Sequence, residues 1–164
     1  MKTEGYITVV GETAAEYTEK RSRFIATLKH CETEEETAEF INALKAKYWD
    51  ARHNCYAYSV ENGALKRFSD DGEPHGTAGK PILSVIDGAG ITNVCIVVTR
   101  YFGGVLLGTG GLVRAYTKAA ADAAAKITKA VMTPGTVFSA ECDYSSAERL
   151  EKLISDAGGS VEIP

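Results

Sequence analysis

Two segments hold most of the residues whose types and spacing could do chemistry. Residues 69–81 read SDDGEPHGTAGKP and residues 99–116 read TRYFGGVLLGTGGLVRAY. In the first, Asp70, Asp71 and Glu73 place three carboxylates within four positions. Such a trio could hold Mg²⁺, supply a general base, or pair with Arg100 and Arg114. It is also what a solvated Asp-Gly turn looks like. In the second, a glycine-rich turn follows an apolar run and opens a helix. The free N–H groups of a first helical turn, with the helix dipole, make an anion site. Arg100 and Arg114 flank that turn and can add charge-assisted contacts to phosphate or carboxylate.

The second segment matches neither common phosphate-binding pattern. Gly79-Lys80 runs into Pro81 rather than Ser or Thr, so it is no P-loop. Val113 stands where the last glycine of GxGxxG belongs. The two blocks carry eight of the sixteen glycines. Glycine is entropically costly to fix, so this density shapes backbone around a ligand or brings helix and sheet unusually close. The reading is one site: Arg100, Arg114 and the turn over 108–111 lining one concave surface with Asp70, Asp71 and Glu73. Two smaller features stand apart. His53 and Cys55 alternate along a strand and so share a face, as a nucleophile pair would or as core would. Lys20, Arg21 and Arg23 form the best local nucleic-acid candidate.

Composition bounds the rest. A chain of 164 residues that is 45% apolar can bury a full core, with room for a small second domain. Its net charge of −4 advertises no global field for nucleic acid. Cys31, Cys55, Cys95 and Cys142 form no CxxC pair, and there are only three histidines, which argues against structural zinc and for reduced thiols. No stretch approaches the roughly 20 apolar residues of a membrane span. The expected location is cytoplasmic.

The elements that must position these residues read as follows. Residues 5–10 and 21–30 are strands, with 14–20 an irregular strand or loop between them. Thr33 with Glu36 forms a capping box, opening a helix with Ala38, Ile41, Leu44 and Tyr48 at helical spacing. Residues 53–60 are a strand, 61–64 a turn, and 65–68 a returning strand. Pro81 suits the first turn of a short helix. The β-branched run over 92–102 reads as a central strand, and 109–127 as an alanine-rich helix. Residues 132–135 read as a linker. Beyond it, 137–144 alternate as a half-buried strand. Ser145 with Glu148 opens a helix with Leu150, Leu153 and Ile154 inward, Gly158-Gly159 end it, and 161–164 begin a strand. That C-terminal piece is too small for a stable domain by itself.

Three stretches, RFSDDGEPHGTAGKPIL, VVTRYFGGVLLGTGGLVRAY and the earlier ARHNCYAY, resemble the signature of the IMPACT/YigZ family over about residues 1–130. The resemblance implies an α/β (α+β) sandwich: a ribosomal protein S5 domain 2-like N-terminal domain at 1–131, then the start of a ferredoxin-like domain at 136–164. It implies motif positions at His53, Asp70, Asp71, Glu73, Thr77, Arg100, Tyr101, Gly103, Gly104, Gly108, Gly110, Gly111 and Arg114. Two departures are His75, where a small residue is expected, and Arg52, where Thr or Ser is usual. Eukaryotic relatives regulate translation by competing for the activator of a starvation-responsive kinase. The implied function is therefore a translation-linked regulatory protein, with ribosome, RNA or a translation-associated protein as partner and no cofactor. The alternatives are a Mg²⁺-dependent phosphate-ester hydrolase or transferase built on the acidic trio, and a protein–protein adaptor with structural glycines. No clear nucleophile or phosphate-binding lysine accompanies the acidic trio, which favours binding over catalysis.

Overall fold

The computed structural model describes residues 5–162. Five antiparallel strands make the main sheet, in the order β2-β3-β6-β4-β5. These are β2 (Glu12–Glu19), β3 (Ser22–His30), β4 (His53–Val60), β5 (Leu65–Ser69) and β6 (Val94–Tyr101). The central place of β6 follows from its sequence. With both faces covered, a strand reads as a continuous apolar run rather than an alternating one. Residues 94–100 are all buried. Alternation still sorts them. Val94, Ile96 and Val98 face one core cluster, and Cys95 and Val97 face another.

The helices α1 (Glu34–Lys47), α2 (Gly79–Ala89) and α3 (Gly108–Lys126) make two layers. The helices α2 and α3 pack together against the Ile96 face, and α1 packs against the Val97 face. Small side chains let α3 lie close: Ala115, Ala119, Ala120 and Ala123 are buried against the sheet. The α1 stripe is Thr37, Phe40, Ile41 and Leu44; Ala38 points to solvent. Thr33 Oγ1 accepts from the Glu36 N–H at 3.2 Å, and the Glu36 carboxylate accepts from the Glu32 N–H at 2.7 Å. This is the expected capping box, with its return bond one residue earlier.

The helix α2 lacks a cap from its own N-cap residue, Ala78. The Asp70 carboxylate substitutes from eight positions upstream, accepting from the N–H groups of Gly76, Ala78 and Gly79 at 2.9, 3.0 and 2.9 Å. The segment over 14–20 is regular strand up to Glu19, because the β3 ladder holds it. The same holds for β7 (Thr128–Met132), which sequence reading leaves unassigned: it forms a two-stranded sheet with β1 (Tyr6–Val10).

The described residues form two compact units, one ending at Pro134 and the other beginning at Gly135. In the second unit the expected strand over 137–144 does not form. Residues 135–143 have no regular structure, and Val137 and Phe138 are exposed. A strand needs a ladder partner, and the described residues of this unit contain no other strand. The helix α4 (Tyr144–Asp156) does form, but Asp143 rather than Ser145 caps it, accepting from the Ser146 N–H at 2.8 Å. A carboxylate serves both the free amide and the dipole. No α4 residue is fully buried: Leu150 and Ile154 are half-buried, and Leu153 is exposed. Residues 160–162 are irregular, and the last two positions of the expected final strand lie outside the described residues.

Gly103 is fixed by close approach, as Gly79 is against the Ser69 backbone. A Cβ on Gly103 would overlap the Arg21 backbone carbonyl, whereas one on Gly110 meets only the flexible end of Arg114 at 3.3 Å. Gly103→Ala is therefore expected to destabilise by about 2 kcal/mol or more, and Gly110→Ala to stabilise by up to about 1 kcal/mol. Urea unfolding of the two variants checks the opposite signs.

Candidate functional site

The register of the sheet sets the site. Arg100 on β6 lies directly opposite Phe24 on β3 and His53 on β4, so the three side chains share the face that carries α2 and α3. Glu73, from the turn after β5, is buried over them. Its Oε1 accepts from Arg100 Nη1 and from the Tyr116 hydroxyl, both at 2.7 Å. Arg100 Nη2 donates to Ser22 Oγ at 3.4 Å. The guanidinium lies between the rings of Phe24 and Phe102, 5.7 and 5.6 Å from their centroids.

His53 Nδ1 is 2.7 Å from the Asp71 carbonyl oxygen, an acceptor only, so this nitrogen carries the proton and donates. The other ring nitrogen, Nε2, lies 3.7 Å from Glu73 Oε2. Cys55 shares the His53 face but is core. Its thiol is fully buried, with its one proton within reach of two acceptors, the Asp70 carbonyl at 3.0 Å and the Tyr116 hydroxyl oxygen at 3.4 Å. Burial pushes the thiol well above its ordinary range. No thiolate nucleophile exists there near neutral pH. Burial, then Cys55 and Glu73, hold the Tyr116 hydroxyl protonated in the same way.

The three carboxylates do not converge. Asp70 caps α2. Asp71 turns toward the α1 layer, accepting from the Asn54 N–H at 2.7 Å and from Lys45 Nζ at 3.2 Å. Glu73 is committed to Arg100 and Tyr116. Alternation along a tight turn sends neighbouring side chains apart, and each finds a different partner. Among the described residues no group of three His, Cys, Asp or Glu is arranged to hold a metal ion.

A cleft of about 370 Å³ opens at this end of the sheet. Arg52, His53, Glu73 and Arg100 form its polar side. Phe102, Leu106, Leu107 and Leu112 form its apolar side, and Gly108 and Thr109 bring the start of α3 to its edge. The two sequence blocks thus meet through Glu73, Arg100 and Gly108. The wider single surface expected from sequence needs correction. Asp70 and Asp71 do not line the cleft, and Arg114 and Gly111 line a separate hollow with Lys20 and Tyr17.

Other candidates serve the fold. The Thr77 hydroxyl donates to the Pro74 carbonyl at 2.6 Å. Tyr101 lies on the opposite sheet face and donates to Asp50 at 2.9 Å. The Gly103 N–H donates to Ser22 Oγ at 3.3 Å, and Gly104 has a φ of 87°. Lys20 and Arg21 occupy the β2–β3 turn with φ of 43° and 66°. Arg23 is occupied by Glu16, at 2.5 and 2.9 Å. Of the two departures, Arg52 lines the cleft and His75 is exposed away from its lining. Sequence reading missed Tyr116 and the apolar wall. The available signal for Tyr116 was a large hydroxyl-bearing ring in a stripe that, after Leu112, is otherwise alanine.

The Impact N-terminal domain model matches residues 20–124, which contain every residue of this cleft. The chain belongs to the IMPACT family. It is 40% identical over 145 residues to the IMPACT family member YigZ of Escherichia coli (strain K12), covering 87% of this chain and 71% of that protein. An IMPACT family member from Thermus thermophilus is 50% identical over 135 residues, covering 82% and 73%. A crystal structure described only as that of a hypothetical protein superposes with a TM-score of 0.77 at 36% identity. That match covers 99% of this chain and 80% of the other. Among the described residues of this IMPACT protein, no helix is long and apolar enough to cross a membrane.

Two consequences follow for stability. Glu73→Gln leaves the Arg100 charge buried without its counter-ion and is expected to cost about 3–5 kcal/mol, read by urea unfolding. Asp70 is the pH-sensitive cap. Burial opposes its ionisation, but the N–H groups of Gly76, Gly79 and Ala78 outweigh it and hold the carboxyl below its ordinary value. A lowered folded-state pKa gives stability that is full above the unfolded value of about 3.9 and lost as pH falls through the folded one. Asp70→Asn is expected to cost about 1–3 kcal/mol at pH 7, with the gap in Tm from the parent narrowing as pH drops toward 3.

Proposed function

We propose that this chain is a translation-linked regulatory protein that acts by binding, with the cleft at the end of the sheet as its contact surface. Family membership supports the link to translation through the resemblance to eukaryotic IMPACT relatives that regulate it. The proposed partner is the ribosome, RNA or a translation-associated protein. The first unit reads as the S5 domain 2-like fold of the family, and residues 136–164 as the opening of its ferredoxin-like domain.

The observation that carries the binding reading is how the charges are used. Asp70, Asp71 and Glu73 are each taken up by partners within the fold, and Cys55 is a buried thiol. What faces outward is a half-exposed Phe102, a largely exposed Leu106 and the Arg52 guanidinium. That is the anatomy of a contact surface, with an aromatic and an arginine beside an apolar residue.

Ribosome co-sedimentation from the source cell, with and without nuclease, tests it. The parent chain is expected in the ribosomal fraction, and Leu106→Asp is expected to lose that association while changing stability by no more than about 0.5 kcal/mol. Absence of the parent from that fraction in both conditions removes the ribosome as partner. Unchanged association of Leu106→Asp removes the cleft as the surface.

A further inference from the structure

We propose that the cleft seats a phosphate monoester carried on a flat organic group, the chemistry of a mononucleotide or of the terminal nucleotide of an RNA. The phosphate would rest on the N-terminal amides of α3 beside Arg52. The inference rests on the reading that this cleft is the functional surface and names what that surface recognises.

Four observations converge. First, α3 is 19 residues long, and no side chain caps its start; Leu107 holds the N-cap position. Its opening residues Gly108, Thr109 and Gly110 are exposed, Gly108 with a φ of 73°, and the N–H groups of a first helical turn have no intrahelical acceptor. Second, glycine at 110 answers no packing demand. A Cβ there meets only the movable end of Arg114, and its φ is ordinary. A helix that gives up propensity without a packing return leaves its amides open to close approach. Third, Arg100 lines the same cleft, is 5% exposed, and its Nε has no hydrogen-bond partner. A buried guanidinium N–H without an acceptor is a site short of one acceptor group. Fourth, the Arg52 guanidinium sits over Phe102, 5.7 Å from its centroid, and the salt bridges among the described residues do not include it.

Phosphate fits this donor set better than carboxylate. It carries nearly two charges at neutral pH and three acceptor oxygens, to be met by several amides and a forked guanidinium. The apolar wall of Phe102, Leu106, Leu107 and Leu112 then takes the organic group, with Leu106 the most exposed of the four. At about 370 Å³ the cleft has the size of a small-ligand site.

The experiment is an amide-resolved NMR titration of the full chain. The probes are inorganic phosphate, adenosine 5′-monophosphate, and a short RNA with and without a 5′-phosphate. Inorganic phosphate should shift the Gly108, Thr109 and Gly110 amides saturably. The mononucleotide should bind about tenfold tighter than phosphate alone, and Arg52→Ala about tenfold weaker than the parent. Thr109→Asp places a carboxylate on the same amides, so it should abolish the shifts while raising Tm. Tighter binding of 5′-phosphorylated RNA than of the mononucleotide assigns the source to an RNA end; the reverse assigns it to a free nucleotide. Absence of saturable shifts at these amides, or shifts that survive Thr109→Asp in a folded protein, overturns the proposal. Phosphate binding without ribosome association leaves this site standing and removes the proposed function. Ribosome association without phosphate shifts does the reverse.

Discussion

The structure turns on one buried ion pair. Glu73 and Arg100 meet at 2.7 Å with side chains only 3% and 7% exposed. Taking two charges out of water is costly, and their attraction repays it only when geometry and extra hydrogen bonds are both good. Here the Tyr116 hydroxyl adds a donor to the carboxylate, Ser22 adds an acceptor to the guanidinium, and two aromatic rings cover its faces. The partners come from β3, β6, the turn after β5, and α3. A single pair thereby fixes the acidic block against the glycine block. It also sets the depth of the cleft, since both charges lie at its base.

This arrangement divides labour between charge and exposure. The acidic block looks like a catalytic cluster in one dimension, yet each carboxylate is consumed by structure: Asp70 by the start of α2, Asp71 by β4 and α1, Glu73 by Arg100. The glycine block behaves differently. Gly103 is needed because the β2–β3 turn rests on it, whereas Gly110 is crowded by no backbone. Glycines of one block therefore answer to different constraints, one to packing and the other to none that the backbone imposes.

The β2–β3 turn stores some strain. Lys20 and Arg21 both hold positive φ, which side-chain-bearing residues adopt at a cost of order 1–3 kcal/mol each. The two-residue turn between long paired strands demands it, because only that backbone twist matches the strands. The turn brings the Arg21 backbone against Gly103, and Lys20 lines the hollow shared with Arg114. Arg23, two residues on, is neutralised by Glu16 across the ladder, so three basic residues that look alike in sequence are not alike in the fold.

Local and periodic features were legible from the chain alone. The β6 run, the α1 capping box, the alanine-rich α3 and the strand over 53–60 all depend on neighbours within a few positions, and the structure forms them. The family was legible too, because its two glycine-rich blocks are long and specific. What the chain could not show is where a side chain goes once a partner is available from elsewhere. The register of β3, β4 and β6 put Phe24, Arg100 and His53 in one row, and a distant carboxylate became the cap of α2. Ladder partners made β2 regular and created β7, and the lack of one left 137–144 without a strand. The cleft belongs to this second class. Its polar base and apolar wall come from segments as far apart as Arg52 and Leu112, and only burial and pairing across the sheet decided which of the conspicuous charges remained free to meet a ligand.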